Sequence, residues 1–303
     1  MNKEVIEYLG QIVSPENVIE NEDMSRHTTF KTGGPASLFI SPADISQLEK
    51  VVEVLRRISE DFFILGNGSN ILVSDNGFDG AVISLKRFSD IELKGENTVI
   101  AGAGALNSAI ASFARDNSLT GFEFAAGIPG TIGGAMIMNA GAYDGEMKQV
   151  TRAVTVLSPK GEVMVLDNST MEFGYRTSAI KGRGYIVLSV ELSFEKGDKQ
   201  AISDKMAELA ARRRDKQPLE FPSAGSTFKR PEGYFAGKLI EDAGLRGYSV
   251  GGAAVSDKHC GFVINKGGAT SSDIYRLIQD VKEKVLEASG VELEPEVIML
   301  GKF

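Results

Sequence analysis

Apolar positions along the chain follow two patterns, one with the period of a helix and one of short continuous runs. Ile45, Leu48, Val51, Val52, Leu55 and Ile58 recur at the spacing that puts them on one helical face. Ser41 is the expected N-cap of that helix, with Pro42 in its first turn and Asp44 near the positive end of its dipole. The run Phe62-Phe63-Ile64-Leu65 then predicts a buried strand that stops at Gly66, so the chain begins in a βαβ-like manner. Strand-like runs follow at 81–85, 98–101, 153–157, 162–166 and 185–194. A helix is predicted at 106–117, with Leu106, Ala109, Ile110 and Phe113 on one face. This mixed order indicates an α+β arrangement rather than regular βαβ alternation. Further on, the pattern predicts a charged amphipathic helix at 201–216, a short helix at 235–243 and a strand at 262–265. A long helix at 271–289 turns Ile274, Leu277, Ile278, Val281, Val285 and Leu286 inward, and a final strand covers 291–300. The polar Lys-Gly-Asp turn at 196–198 is the expected boundary of a C-terminal α/β unit.

Composition narrows the function classes. With 303 residues, 42% hydrophobic and 24% charged, the chain can bury more than one core. A net charge of -8 argues against non-specific nucleic-acid binding, while leaving room for a locally basic anion site. The Arg212-Arg213-Arg214 run accordingly reads as a solvated helix end. One cysteine excludes an internal disulfide, and two histidines beside it do not make a typical zinc site, so no metal is expected. No apolar leader and no run long enough to span a membrane are found, so the expected location is the cytoplasm, with no membrane partner. Oligomeric state has no signature here, and a monomer is the expectation.

The 34 glycines exceed the usual share of roughly 7% and are clustered. Gly66-Asn67-Gly68-Ser69-Asn70-Ile71 follows the predicted strand directly; its amides and short side chains suit a pyrophosphate, although a plain turn fits as well. Ile71 stands where a Rossmann fingerprint needs its third glycine, and no Gly-Lys-Ser/Thr marks a Walker loop. Gly127-Ile128-Pro129-Gly130-Thr131-Ile132-Gly133-Gly134 runs on to Asn139-Ala140-Gly141-Ala142-Tyr143. Such density implies either close approach of a ligand or tight packing on a strand. Three further segments stand out: Tyr175-Arg176; Gly225-Ser226-Thr227-Phe228-Lys229-Arg230; and Glu294-Pro295-Glu296. No Gly-x-Ser-x-Gly elbow surrounds Ser226, which disfavours a hydrolase nucleophile. Alternation puts Glu292, Glu294 and Glu296 opposite Leu293, which a solvated edge alone would explain.

Together with His27-Thr28-Thr29-Phe30 and Gly33-Gly34, these motifs in this order resemble the UDP-N-acetylenolpyruvoylglucosamine reductase family, from about Asn21 to the C-terminus. The resemblance implies an FAD-binding fold of two α+β subdomains, 1–80 and 81–196, followed by a substrate-binding domain at 197–303. It implies FAD and NADPH as cofactors. FAD would lie along the glycine loops, at Gly66, Asn67, Gly68, Ser69, Asn70, Ile71, Gly127, Pro129, Gly130, Thr131, Gly133, Gly134, Asn139 and Gly141. Arg176, Ser226 and Glu296 would be catalytic, and Tyr175, Lys229, Arg230 and Lys238 would bind an enolpyruvyl UDP-sugar, with His259 a further diphosphate candidate. The short path from Arg176 to Ser226 matches the family's shorter type, which lacks an extra tyrosine loop. Two other readings are compatible with the glycine loops. One is an FAD-dependent oxidase of the same architecture, with His27 as a possible flavin attachment point; the other is a flavin-free nucleotide-sugar sensor.

Overall fold

The computed structural model describes residues 2–303. Among these residues the α-helices are α1 (Lys3–Val13), α2 (Ile45–Arg57), α3 (Asn107–Asp116), α4 (Ile132–Met138), α5 (Lys199–Lys216), α6 (Ala236–Asp242) and α7 (Ser271–Ser289). The chain forms two compact units that interleave along the sequence. The first takes residues up to Ile19, Leu38–Asn67 and Ala81–Arg213; the second takes Glu20–Ser37, Gly68–Gly80 and Arg214–Phe303. The expected divisions at 80 and 197 were of consecutive segments. The interleaving has a physical cause: Ile71–Val73 pairs in parallel with Ile298–Leu300 at the C-terminus, tying the segment after the first glycine loop to the second unit.

In the first unit, a five-stranded sheet runs in the order Val163–Asp167, Thr151–Leu157, Ile186–Ser193, Thr98–Gly102, Ile91–Lys94, with antiparallel neighbours. Phe62–Leu65, the predicted strand, pairs in parallel with the stretch beginning at Ala81. Helix α2 starts later than expected. Its cap is Asp44, whose carboxylate accepts the Gln47 N–H at 2.9 Å, while Leu48, Val51, Val52 and Leu55 are buried and Ile45 and Ile58 lie at the rim. The inward face of α3 also differs from expectation. Asn107, Ile110, Ala111 and Ala114 are buried, whereas Leu106 is the exposed N-cap, because its extended backbone puts it outside the helix.

In the second unit, α7 packs on the sheet Ser249–Val250, Ala253–Val255, Val263–Asn265. Its residues Ile274, Leu277, Ile278, Val281 and Val285 are fully buried, but Leu286 is 47% exposed, one position around from the packed stripe. The expected final strand shortens to Ile298–Leu300. Leu293 and Val297 are the buried positions before it, a spacing of four that puts them on one face of an extended chain, while Pro295 between them withholds a backbone donor. Among the described residues no helix is long and apolar enough to cross a membrane.

Candidate active site

In the first glycine loop, Gly68 has φ +64°, and a Cβ there would sit 1.9 Å from the His27 carbonyl oxygen. Thr29 closes the contact by donating its N–H to the Gly68 carbonyl at 3.0 Å. Gly68 is therefore demanded by the protein's own packing. His27 itself pairs with Glu22 at 2.8 Å. Within the first unit, Gly66 lies under the second loop: its Cβ would meet the Thr131 hydroxyl at 2.4 Å. The two glycine-rich segments thus converge. Asn67 and Ser69 in the first segment are half-buried, and Ile71 begins the buried strand.

The second loop opens α4, a helix that the sequence pattern missed because glycine and alanine hide its face. Thr131 is its N-cap. Ile132 and Gly133 give their N–H groups to Ala105 and Ala103, each at 2.9 Å, and Gly130 accepts from Asn107 at 3.1 Å. A Cβ on Gly133 would press on Ala103 at 2.9 Å, so Gly133 is a packing glycine. Gly134 differs. It is exposed, its nearest neighbour to a Cβ is the Thr131 hydroxyl at 3.8 Å, and the first helical bond is made only by Ala135 to Thr131. An open face one Cβ deep, beside backbone N–H groups at a helix start, fits a phosphate-bearing cofactor. Pro129 is exposed next to it. Gly127 is covered by a residue the sequence reading left in solvent: the Arg213 side chain lies 3.2 Å from where its Cβ would be, and burial pushes that guanidinium below its ordinary range. Arg212 lies over the Tyr143 ring at 5.4 Å. The spacing of the arginine run gave no sign that its middle member turns inward.

Tyr175 and Arg176 are the central residues of a tight turn, closed by Gly174 N–H to Thr177 O at 3.1 Å and Thr177 N–H to Gly174 O at 3.3 Å. Arg176 has φ +54°, a left-handed conformation that costs a non-glycine residue about 1–2 kcal/mol. Its guanidinium donates to Gly141 O at 3.5 Å and lies 5.3 Å from the Tyr175 ring, which is 58% exposed. Asn139, expected to touch cofactor, is 1% exposed and bonded within the protein.

In the second unit, three motifs far apart in sequence come together. Residues 227–229 pair with 294–296 through Lys229 N–H to Glu294 O at 2.9 Å and Glu296 N–H to Thr227 O at 2.8 Å. These bonds flank the Phe228–Pro295 pair, which exchanges none, so the missing proline N–H is tolerated. On the other side Thr227 is fully buried and accepts the Val263 N–H at 2.9 Å. Ser226 therefore directly precedes the residue opposite Glu296, its hydroxyl donating to Phe228 O at 3.3 Å, with Gly225 at φ +78° letting the chain turn there. The Asn70 amide donates to Glu296 O at 3.1 Å, and Ile298 N–H to Asn70 O at 3.0 Å, so the first glycine loop ends on the Glu296 backbone.

Of the other expected substrate residues, Lys229 lies in this same pairing. Lys229 forms an ion pair with Glu294. Lys238 is exposed and bonded to Asp242 at 2.6 Å. Arg230 stacks on Phe235 at 4.0 Å and donates to Tyr234 O at 3.2 Å. His259 accepts the Gly261 N–H on Nδ1 at 3.0 Å, and burial lowers its pKa, which favours a neutral packing residue over a phosphate cation.

Comparison with known proteins matches residues 217–300 to the UDP-N-acetylenolpyruvoylglucosamine reductase C-terminal domain and residues 36–167 to an FAD binding domain. A UDP-N-acetylenolpyruvoylglucosamine reductase of Agathobacter rectalis is 49% identical over 99% of this chain and 98% of its own. The chain belongs to the UDP-N-acetylenolpyruvoylglucosamine reductase family. The crystal structure of the UDP-N-acetylenolpyruvylglucosamine reductase from Thermus caldophilus superimposes with a TM-score of 0.81 at 35% identity, covering 93% of this chain and 98% of that one. The structure of wild-type Phl p 4.0202, a glucose dehydrogenase, shares the fold at a TM-score of 0.53 and 16% identity, over 65% of this chain and 45% of its own. As a member of the reductase family, the chain is an FAD-dependent oxidoreductase acting in cell-wall precursor synthesis, and the open face at Gly134 fits that cofactor.

Proposed function

We propose that the protein reduces the enolpyruvyl ether of UDP-N-acetylglucosamine enolpyruvate to UDP-N-acetylmuramate, with NADPH as reductant, in the cytoplasm. FAD, held against the open face at Gly134, would supply hydride to the terminal alkene carbon. Negative charge then develops on the neighbouring carbon and spreads into the carboxylate. Arg176 binds that carboxylate, since a guanidinium offers a bidentate fork and keeps its charge. Ser226 delivers a proton to the carbanion-like carbon; a hydroxyl is a weak acid, but the developing carbanion is a strong base. Glu296 faces the same charge, so it acts as a protonated or hydrogen-bonding group rather than as a bare carboxylate. Tyr175, exposed with the Arg176 guanidinium over its ring, lines the substrate in this reading.

The observation that supports this reading is the pairing of 227–229 with 294–296, which brings the backbone segments carrying Ser226 and Glu296 together. Proton delivery to a reduced alkene needs such a pair and oxidation of an alcohol does not. Denaturing the purified protein should release FAD into solution, and NADPH consumption should depend on the enolpyruvyl UDP-sugar. Flavin retained on the precipitated chain, or turnover of simple sugars with oxygen, would favour the oxidase reading instead.

A further inference from the structure

Arg176 sits in a strained turn, so something must hold it there. The ties come from one short stretch at the C-terminal end of α4. Ser178 donates its hydroxyl to Ile137 O at 2.9 Å. Gly141 O receives the Arg176 guanidinium at 3.5 Å. Between them stands Asn139, the C-cap of α4, at φ +43° and ψ +55° and 1% exposed. Its amide group donates to Gly174 O, the carbonyl that opens the Arg176 turn, and to Glu146 Oε2, both at 3.1 Å. Its Oδ1 accepts the Lys148 N–H at 2.9 Å. Glu146 is itself held by a capping box with Gln149. From the other side, Lys181 donates its ammonium to Arg176 O at 2.8 Å.

We infer that Asn139 is a positioning residue: it fixes the Arg176 turn to the end of the helix whose start lies in the glycine loop. The residue type supports this. Asparagine is among the few residues that adopt the left-handed cap readily, and it alone among them brings two amide hydrogens to donate. Aspartate adopts the same backbone but donates nothing when ionised, and beside Glu146 it would repel. Helix α4 spans seven residues, which at a rise of 1.5 Å each is about 10 Å from its start in the glycine loop to its Asn139 cap. Asn139 thereby sets where the carboxylate partner stands relative to the glycine loop. This rests on the proposed role of Arg176.

A cap with no further role would be served as well or better by glycine, so Asn139→Gly separates the two possibilities. Its melting temperature should fall by several degrees, because Gly174 O, Glu146 and the Lys148 N–H lose their amide partner, but its FAD content should be close to that of the unaltered protein and NADPH should bleach the flavin at a near-normal rate. Reoxidation by the enolpyruvyl UDP-sugar should slow about 10–100-fold through kcat, the scale of a catalytic group displaced by an ångström or so. In an Arg176→Lys background, Asn139→Gly should add little further loss, because the two act through one group. Unchanged reoxidation, or losses that multiply in the double variant, would overturn the inference. If Asn139→Gly fails to fold, Asn139→Asp carries the same test; failure of both to fold would mark Asn139 as structural only. A normal reoxidation rate in Arg176→Lys alone would instead remove Arg176 from the chemistry, a result independent of Asn139.

Discussion

At the scale of single residues, neighbouring glycines do different work. Gly68 and Gly133 are required by carbonyl and side-chain atoms of the protein itself, whereas Gly134 faces open space. Gly68→Val would therefore wreck the loop rather than report on a ligand. Gly134→Val should keep the melting temperature within a few degrees, since valine is no worse than glycine in a helix, and should purify nearly free of FAD. Flavin absorbance per chain measures this, and full occupancy would place the cofactor elsewhere. The titration of His259 gives a second residue-level test. Burial, with a smaller effect from Arg246, holds its pKa below the ordinary value of 6.5. The unfolded chain then binds a proton that the folded chain refuses, so His259 contributes stability above about pH 6.5 that is lost as pH falls through the lowered folded value. His259→Gln, which keeps an acceptor for Gly261, should flatten the decline in melting temperature between pH 7 and pH 5. An unchanged slope would assign the decline to other groups.

At the scale of elements, periodicity located what packing alone decides. Helix α7 and the strand Phe62–Leu65 stand at their expected residues because caps and apolar runs there agree. The reading slipped where a local feature outweighs the pattern. Leu106 is apolar yet serves as an extended N-cap, and Pro295 turns a would-be strand into a single bridge followed by a change of partner. Helix α4 was illegible because Ile132-Gly133-Gly134-Ala135 has too little apolar contrast to show a face. The start of α7 shows how remote a cap can be. Asp75 accepts the N–H groups of Ser271 and Ser272, both at 2.8 Å, and the Ser272 hydroxyl at 2.6 Å. Burial raises its pKa, but the Ser272 and Ser271 hydrogen bonds more than offset this and hold it below the usual carboxylate value. Asp75→Ala should lose about 1 kcal/mol at pH 7, as for other helix caps. The sign is fixed by the lowered folded pKa: the difference between variant and unaltered protein should shrink as pH falls below about 4. Denaturant melts at pH 7 and pH 3 would show it, and an equal difference at both would mean that the charge contributes nothing.

At the scale of the whole molecule, the motifs were legible and their assembly was not. Each glycine loop, Arg176, Ser226 and Glu296 could be marked from the sequence, but nothing local says that Asn70 bonds to the Glu296 backbone across 226 positions. Parallel pairing of Ile71–Val73 with Ile298–Leu300 has no sequence signature, because the partners are short apolar triplets like many others. Yet that pairing ties residues 68–80 into the second unit and seats the Glu296 backbone next to the end of the first loop. The central claim is that Ser226 supplies the proton for reduction of the enolpyruvyl group and takes no part in flavin reduction. Anaerobic stopped-flow traces of Ser226→Ala, mixed first with NADPH and then with the enolpyruvyl UDP-sugar, test it most directly. The flavin should bleach at a near-normal rate and then recover its colour roughly 10²–10⁴-fold more slowly than in the unaltered protein, the usual scale for a lost general acid. Equal slowing of both phases, or recovery at the normal rate, would contradict it.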